Sequence, residues 1–105
     1  MEKFRLIVLA DMPPDTRHER KVAREFREYL FKGGFSELQN GVYTRVSDGR
    51  SSASIHEARL RKNAPELGVV RLFTVTENQF ARSELISGDE LPQETEIGSQ
   101  LDIFL

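Results

Sequence analysis

Apolar and polar residues alternate along the chain with two different periods, which indicate strands and helices. Residues 4–11 are rich in Ile, Val and Leu, which is typical of a strand, and Met-Pro-Pro follows them. Thr16 is a predicted helix N-cap, and Glu19 three residues later completes a capping box. Apolar residues then recur at helical spacing until the Gly33-Gly34 pair, where the first helix is predicted to end.

The middle of the chain predicts a second round of the same elements. Residues 35–46 are predicted to form one strand, and Gly41 inside it indicates a bulge. A second helix is expected over residues 52–63, before a proline, and the β-branched run at residues 68–77 predicts another strand.

Two short strands are predicted in the carboxy-terminal part, at residues 82–87 and 101–105, with a polar acidic connection over residues 88–100 between them. Neither an internal repeat nor a long linker interrupts the chain, so residues 1–105 are expected to form one domain. The order of elements matches the split βαβ unit. It predicts an α+β, ferredoxin-like βαββαβ fold with an additional short C-terminal strand.

The predicted sheet has apolar side chains on both faces. In the first strand, Leu6 and Val8 point to one face, whereas Ile7 and Leu9 point to the other. Because connection handedness places both predicted helices on one face, the other face needs a cover that this chain does not supply. We expect a homodimer, sheet against sheet, to provide it. The alternative is a sparse apolar face that stays exposed.

Composition narrows the classes of function. The chain has no cysteine, which excludes a disulfide framework, a thiolate metal site and a cysteine nucleophile. No apolar run approaches the roughly 20 residues of a membrane span, so we expect no membrane partner and a cytoplasmic location. Residues 83–105 hold six of the 17 acids and none of the 15 Lys and Arg, which leaves a mildly basic body. Such a body fits nucleic-acid binding, although acidic tails are also common on proteins without that partner.

Asp11 is the first candidate for chemistry, because it ends the first strand on the same side as Ile7 and Leu9. In a sheet-to-sheet dimer, Asp11 and its copy would face each other near a two-fold axis. Two adjacent carboxylates favour a hard divalent cation between them, such as Mg²⁺ or Mn²⁺. Such a metal could orient a phosphodiester and lower the pKa of a bound water. The residues alone favour the alternative, in which Asp11 is a turn-forming residue before Pro13.

A row of arginines follows one side of the first helix, opposite its apolar side. This arginine row consists of Arg17, Arg20, Arg24 and Arg27. Like charges at these spacings cost about 0.2–0.5 kcal/mol per pair, so stability does not require them. Guanidinium groups match phosphate oxygens in bidentate geometry. The row is equally compatible with nucleic-acid contact and with a solvated face that carries Lys21–Glu25 and Arg24–Glu28 ion pairs.

Two runs of the chain carry a resemblance to a known family. They are Leu-Ala-Asp-Met-Pro-Pro-Asp-Thr at residues 9–16 and Leu-Phe-Thr-Val-Thr-Glu-Asn-Gln-Phe-Ala-Arg at residues 72–82. Both resemble the CRISPR-associated protein two family, the small subunit of the spacer-acquisition machinery. They are most similar to the forms found beside a large single-protein RNA-guided nuclease (type II systems). The resemblance covers most of the chain up to about residue 88.

The resemblance implies a homodimer that bridges two dimers of the acquisition integrase, CRISPR-associated protein one. It also implies binding of the spacer-precursor duplex DNA along its backbone, and a final strand that completes a sheet across the dimer. The family is classed as metal-dependent endonucleases, chiefly endoribonucleases, with the first-strand aspartate as magnesium ligand. That position matches Asp11, which the resemblance makes the catalytic and metal-binding candidate. Early-helix arginines match Arg17 and Arg20, whereas Arg24 and Arg27 rest on the helical wheel alone.

The expected function is therefore a CRISPR adaptation subunit, with single-stranded RNA or double-stranded DNA as candidate substrates of a magnesium-dependent nuclease. One acid per chain and no certain base predict slow or conditional hydrolysis. The chain departs from the family pattern in residues 39–43, where many relatives have a serine: Gly41 lacks the hydroxyl, which puts a hydroxyl role in this segment in doubt. The alternative function is a stand-alone metal-dependent endoribonuclease with toxin-like action.

Overall fold

The computed structural model describes residues 2–89, which form a four-stranded antiparallel sheet and three helices. In chain order the elements are β1 Lys3–Asp11, α1 Arg17–Lys32, β2 Ser36–Gln39, β3 Val42–Asp48, α2 Gly49–Lys62, β4 Val69–Thr76 and α3 Glu77–Ala81. The strands lie in the order β2-β3-β1-β4. This confirms the predicted α+β class and the ferredoxin-like βαββαβ order. The predicted strand at 101–105 and the connection from residue 90 onward lie outside the described residues.

The core lies between the sheet and the helices α1 and α2. Alternate residues of the central strand β1 point into it, and Leu6 and Val8 are fully buried there. The buried apolar cluster consists of Phe4, Leu6, Val8, Phe26, Leu30, Phe35, Tyr43, Ala53 and Leu60. Because this cluster joins both long helices to one face of β1, the period-two prediction of a helix-covered face is confirmed.

Helix α1 begins and ends as its sequence predicts. The Thr16 hydroxyl accepts a hydrogen bond from the Glu19 amide at 3.0 Å, and the Glu19 carboxylate accepts one from the Thr16 amide at 2.8 Å. At the other end, Phe35 N–H donates to the Leu30 carbonyl, and Gly34 has a φ of 85°. The capping box and the glycine stop therefore hold the loops that flank this helix.

The prediction of one strand over residues 35–46 is wrong, because the chain forms the hairpin β2–β3 there. Asn40 and Gly41 make the turn, and Gly41 has a φ of 78°. A Cβ at Gly41 would lie 2.8 Å from the Ala10 carbonyl oxygen, so a glycine is needed where β3 meets β1. The register irregularity lies between Glu37 and Gln39 rather than at Gly41. An Asn-Gly pair between apolar runs is itself a hairpin signal.

The predicted strand at residues 82–87 is also wrong, because the chain leaves the sheet after β4 in the short helix α3. Thr76 and Gln79 form a second capping box, with hydrogen bonds of 3.1 and 2.9 Å. Residues 82–87 follow without regular structure. The second helix is confirmed, but its bounds differ from the prediction: α2 begins at Gly49 instead of residue 52 and ends at Lys62 instead of residue 63. Among the described helices, none is both long and apolar enough to cross a membrane.

Among residues 2–89, helix α3 covers one end of the sheet face opposite α1 and α2. We call this sheet face the open face. By strand register it contains Ile7, Leu9, Asp11, Val42, Thr44, Val46, Val69, Arg71, Phe73 and Val75. Helix α3 lies over its Arg5 end, where the Arg5 guanidinium is 4.4 Å from the centre of the Phe80 ring. Towards the Asp11 end, the side chains of Val69 and Phe73 remain 63% and 48% exposed. Helix α3 was not anticipated from the sequence.

Candidate functional site

Asp11 lies at the end of β1, exposed to solvent, on the open face where the sequence placed it. It stands opposite Val69 in the register with β4. The loop before β4 comes close to it, because Gly68 has a φ of 81° and a Cβ there would lie 2.7 Å from the Asp11 carbonyl oxygen. The glycine thus lets the backbone of this loop support the end of β1. The Asp11 carboxylate itself remains accessible from outside.

The chemistry of Asp11 fits a hard cation that needs few protein ligands. Its carboxylate is an oxygen donor, and residues 2–89 contain no group of three or more His, Asp or Glu that could hold a metal together. Magnesium is often held by one or two carboxylates and completes its octahedral shell with waters and substrate phosphates. A magnesium or manganese ion at Asp11 would therefore take its other ligands from water, from a phosphate or from a second copy of the chain.

The four members of the arginine row are all exposed, but two of them already have structural partners. Arg20 Nη1 donates to the carbonyl oxygens of Pro14 and Asp15, at 3.1 and 2.9 Å. It therefore ties the loop between β1 and α1 to the helix. Arg27 Nη2 donates to Glu37 Oε1 at 2.9 Å.

Within the described part of the chain, Arg17 and Arg24 have no hydrogen-bond or ion-pair partner. The predicted Lys21–Glu25 pair forms, with 3.9 Å between nitrogen and oxygen. Over residues 2–89 the predicted Arg24–Glu28 pair does not form. The row thus divides into two residues that hold the fold together and two that are available for a ligand.

A cleft of about 600 Å³ lies between α1 and the adjoining ends of β1 and the β2–β3 hairpin. We call it the Asp11 cleft. It is lined by Ala10, Asp11, Met12, Ala23, Arg24, Phe26, Arg27, Asn40, Gly41 and Tyr43. The fold therefore brings Asp11 together with Arg24 and Arg27, whereas Arg17 and Arg20 lie outside the cleft.

Two polar residues of this cleft, Asn40 and Tyr43, were not among the predicted site residues. Tyr43 is only 7% exposed, and its hydroxyl is hydrogen-bonded to the Glu37 carboxylate. Burial, followed by the negative charge of Glu37, raises the pKa of Tyr43, so the phenol stays protonated at neutral pH. With Arg27 bound to the same carboxylate, the floor of the cleft is held in one arrangement. The Asn-Gly turn was the one available sequence signal for this wall.

Comparison with known proteins places these features in a family. The sequence model of the family described as CRISPR associated protein Cas2 matches residues 4–83. The protein named "CRISPR-associated endoribonuclease Cas2" in Flavobacterium psychrophilum is 36% identical over 99 residues, which cover 94% of this chain and 86% of that protein. Proteins of the same name are 42% identical in Streptococcus mutans (82% of this chain, 79% of that protein) and 37% identical in Acidovorax ebreus (96% and 100%).

The matched range runs from β1 to just beyond α3 and includes Asp11 and the whole arginine row. Each of these three relatives is more than 30% identical and is covered over most of its length. The resemblance inferred from residues 9–16 and 72–82 is therefore confirmed, and the chain belongs to the CRISPR associated protein Cas2 family.

Proposed function

We propose that the chain is the small subunit of CRISPR spacer acquisition, acting in the cytoplasm as a homodimer. The dimer bridges two dimers of the integrase, CRISPR-associated protein one, and binds the spacer-precursor duplex along its backbone. The observation that carries this proposal is the family match over residues 4–83. The open face and the two arginines of α1 that are unpaired within residues 2–89 support it independently, because they offer a surface for a second copy and for phosphates.

The open face supports dimerisation through its uncovered end. Val69 and Phe73 expose apolar side chains there, and burying such a patch against an identical one is a common route to a two-fold dimer. Because α3 occupies the Arg5 end, the second copy would contact the end that contains Asp11. The two Asp11 carboxylates would then lie near the two-fold axis, as the sequence predicts. A stable monomer in sedimentation at micromolar concentration would contradict this part.

The available guanidinium groups support contact with nucleic acid. Arg17, in the first turn of α1, is exposed and close to the amino terminus of the helix, where backbone N–H groups also favour phosphate. Arg24 lies two turns further along and lines the Asp11 cleft. Arg20 and Arg27 support this site indirectly. Arg20 holds the backbone of the loop before α1, and Arg27 holds the Glu37 carboxylate. The site residues proposed for nucleic acid are therefore Arg17 and Arg24 first, with Arg20 and Arg27 behind them.

Nuclease activity is the second component of the proposal, because the relatives are named endoribonucleases. Asp11 would hold a magnesium or manganese ion and orient it towards a bound strand. When bound, the ion would neutralise charge on a phosphodiester and polarise it for attack by water. Since residues 2–89 contain no group of three or more acids or histidines that could hold a metal, and Asp11 is the one proposed ligand of each chain, hydrolysis of single-stranded RNA or double-stranded DNA should be slow.

The test compares Asp11→Asn with Asp48→Asn, which removes the same charge from an exposed residue at the far end of the sheet. We expect Asp11→Asn to lose metal-dependent cleavage and to retain spacer integration with the integrase, whereas Asp48→Asn retains both. Persistent cleavage by Asp11→Asn would remove Asp11 from the nuclease site. A native protein that binds neither the integrase nor the duplex would contradict the scaffold role. Growth arrest on expression without the integrase would instead favour the toxin-like endoribonuclease.

A further inference from the structure

Arg24 places on the wall of the Asp11 cleft a cation that is unpaired among residues 2–89. Its guanidinium has no ion-pair partner within residues 2–89, whereas its neighbour Arg27 is held by Glu37 at 2.9 Å. Arginine binds phosphate through paired N–H donors, so a guanidinium that lines a cleft without a counter-ion suits an anionic group of a ligand. Asp11 also lines the cleft at the end of β1, but by strand register its side chain belongs to the open face, on the side of the sheet away from α1.

The other residues that line the cleft suit the base of a nucleotide. A volume of about 600 Å³ lies within the range of small-ligand sites, about 300–1,000 Å³. Met12, Ala23 and Phe26 form an apolar wall, against which the flat face of a base can pack. Asn40 lines the same space, and its side-chain amide has both a donor and an acceptor for the edge of a base. The cleft thus combines two arginines, of which Arg27 is held by Glu37, with one side-chain amide and an apolar wall.

The cleft is built from elements that hold it open. Tyr43 and Arg27 share the Glu37 carboxylate on its floor, and the Ala10 amide donates to the Gly41 carbonyl at 2.8 Å. These contacts join α1, β1 and the β2–β3 hairpin around the cleft. A preformed site of this kind loses little conformational entropy when a ligand binds.

We propose that the Asp11 cleft binds one unpaired nucleotide of a single strand, with Arg24 contacting its phosphate and Asn40 the edge of its base. This inference rests on the proposed function, because it takes a nucleic acid as the partner. A paired and stacked base inside a duplex cannot enter a cleft between a helix and a hairpin. The cleft would therefore recognise single-stranded ends or single-stranded RNA and hold the adjoining phosphodiester near Asp11, whereas Arg17 lies outside it and remains free for duplex backbone.

The experiment measures binding of fluorescent tetrathymidylate and of a blunt DNA duplex to the native protein and to three variants. Arg24→Ala should weaken tetrathymidylate binding about tenfold, the loss expected for a charged hydrogen-bonded contact. Arg24→Lys should retain part of the affinity, because it keeps the charge and loses the bidentate geometry. The matched control is Arg61→Ala, which removes one exposed guanidinium from the last turn of α2 and should change binding less than twofold.

Amide resonances provide a second readout that does not depend on a variant. Titration of the native protein with tetrathymidylate should shift the amides of Ala23, Asn40 and Gly41 before those of α2. Equal losses for Arg24→Ala and Arg61→Ala, or shifts centred elsewhere, would overturn the inference. Retained duplex binding in that case would show that the cleft assignment alone has failed. If the native protein binds neither probe, the proposed function fails with it.

Discussion

Arg5 and Glu77, 72 positions apart in the chain, join the start of β1 to the short helix α3 through two hydrogen bonds. Arg5 Nε donates to one carboxylate oxygen at 3.0 Å and Nη2 to the other at 2.6 Å. The two side chains are 10% and 23% exposed, and the guanidinium also stacks over the Phe80 ring. This contact fixes α3 on one end of the open face, whereas Val69 and Phe73, towards the Asp11 end, remain exposed.

Replacing Glu77 by Gln should therefore destabilise the fold more than the loss of an exposed ion pair. The largely buried Arg5 guanidinium would lose its counter-ion, and removing one partner of a buried pair costs about 3–5 kcal/mol. Partial exposure of Glu77 reduces the expected loss to about 2 kcal/mol. The measurement is urea unfolding followed by circular dichroism. Lys3→Gln is the control, because it breaks the exposed pair with Asp48, and an equal loss in both variants would contradict the expectation.

The capping box at Thr16 should be measurable as helix stability. Thr16→Ala removes the hydroxyl that accepts from the Glu19 amide, which should lower the free energy of unfolding by about 1 kcal/mol. Thr16→Ser keeps an equivalent oxygen and should remain close to the native value. Thermal unfolding of the three proteins checks this, and a Ser variant as unstable as the Ala variant would argue against the hydroxyl.

Gly41 should tolerate no side chain. Alanine there would combine the cost of a positive φ, about 1–2 kcal/mol, with a contact of 2.8 Å to the Ala10 carbonyl oxygen. We expect a loss of about 2 kcal/mol or more in unfolding free energy and altered amide resonances along the β2–β3 hairpin. Gly33→Ala is the matched control, since its φ is −81° and its added Cβ would find ordinary space at 3.4 Å. Similar losses at both positions would show that the hairpin contact is not the cause.

The raised pKa of Tyr43 predicts that the protein loses stability at alkaline pH. Burial and Glu37 raise the pKa of its phenol above 10.0, so the folded state holds this proton more tightly than the unfolded state. The stability that the protonated Tyr43 phenol contributes is fully present below pH 10.0 and is lost as the pH rises through the folded-state pKa. Tyr43→Phe should be about 1 kcal/mol less stable than the native protein at neutral pH, through loss of the hydrogen bond to Glu37. Above pH 10, urea unfolding should show a smaller difference in unfolding free energy between the native protein and Tyr43→Phe. A difference that stays constant with pH would contradict the proposed role of the Tyr43 proton.

The arginine row should separate into binding and structural members in salt titrations. Each phosphate neutralised contributes about −0.9 to the slope of log affinity against log salt for duplex DNA. Arg17→Ala should flatten this slope by about that amount, because its guanidinium is unpaired within residues 2–89. Arg20→Ala should change the slope less and should lower thermal stability, since it loses its contacts to Pro14 and Asp15. Equal slopes for native and Arg17→Ala proteins would remove Arg17 from the duplex site.

The elements that depend on near neighbours could be predicted from the sequence. The Thr16–Glu19 capping box, the alternation of Leu6 and Ile7 between two faces and the position of Asp11 at a strand end all arise from residues within a few positions of one another. Backbone geometry converts such spacing directly into direction, through the periods of strand and helix. Family membership also followed from short local runs.

Whatever depended on distant residues was decided only by tertiary structure. The hairpin at residues 35–46 has a local signal in its Asn40-Gly41 turn, which the prediction of one strand missed, whereas the pairing of β3 with the distant strand β1 was decided by tertiary structure. Arg20 and Arg17 have the same side chain on the same helix, yet the turn of the preceding loop gives carbonyl partners to Arg20 alone. The Asp11 cleft likewise joins α1 to a hairpin that begins several residues after that helix ends. Sequence spacing specifies local direction, whereas contacts between distant residues depend on how the elements pack.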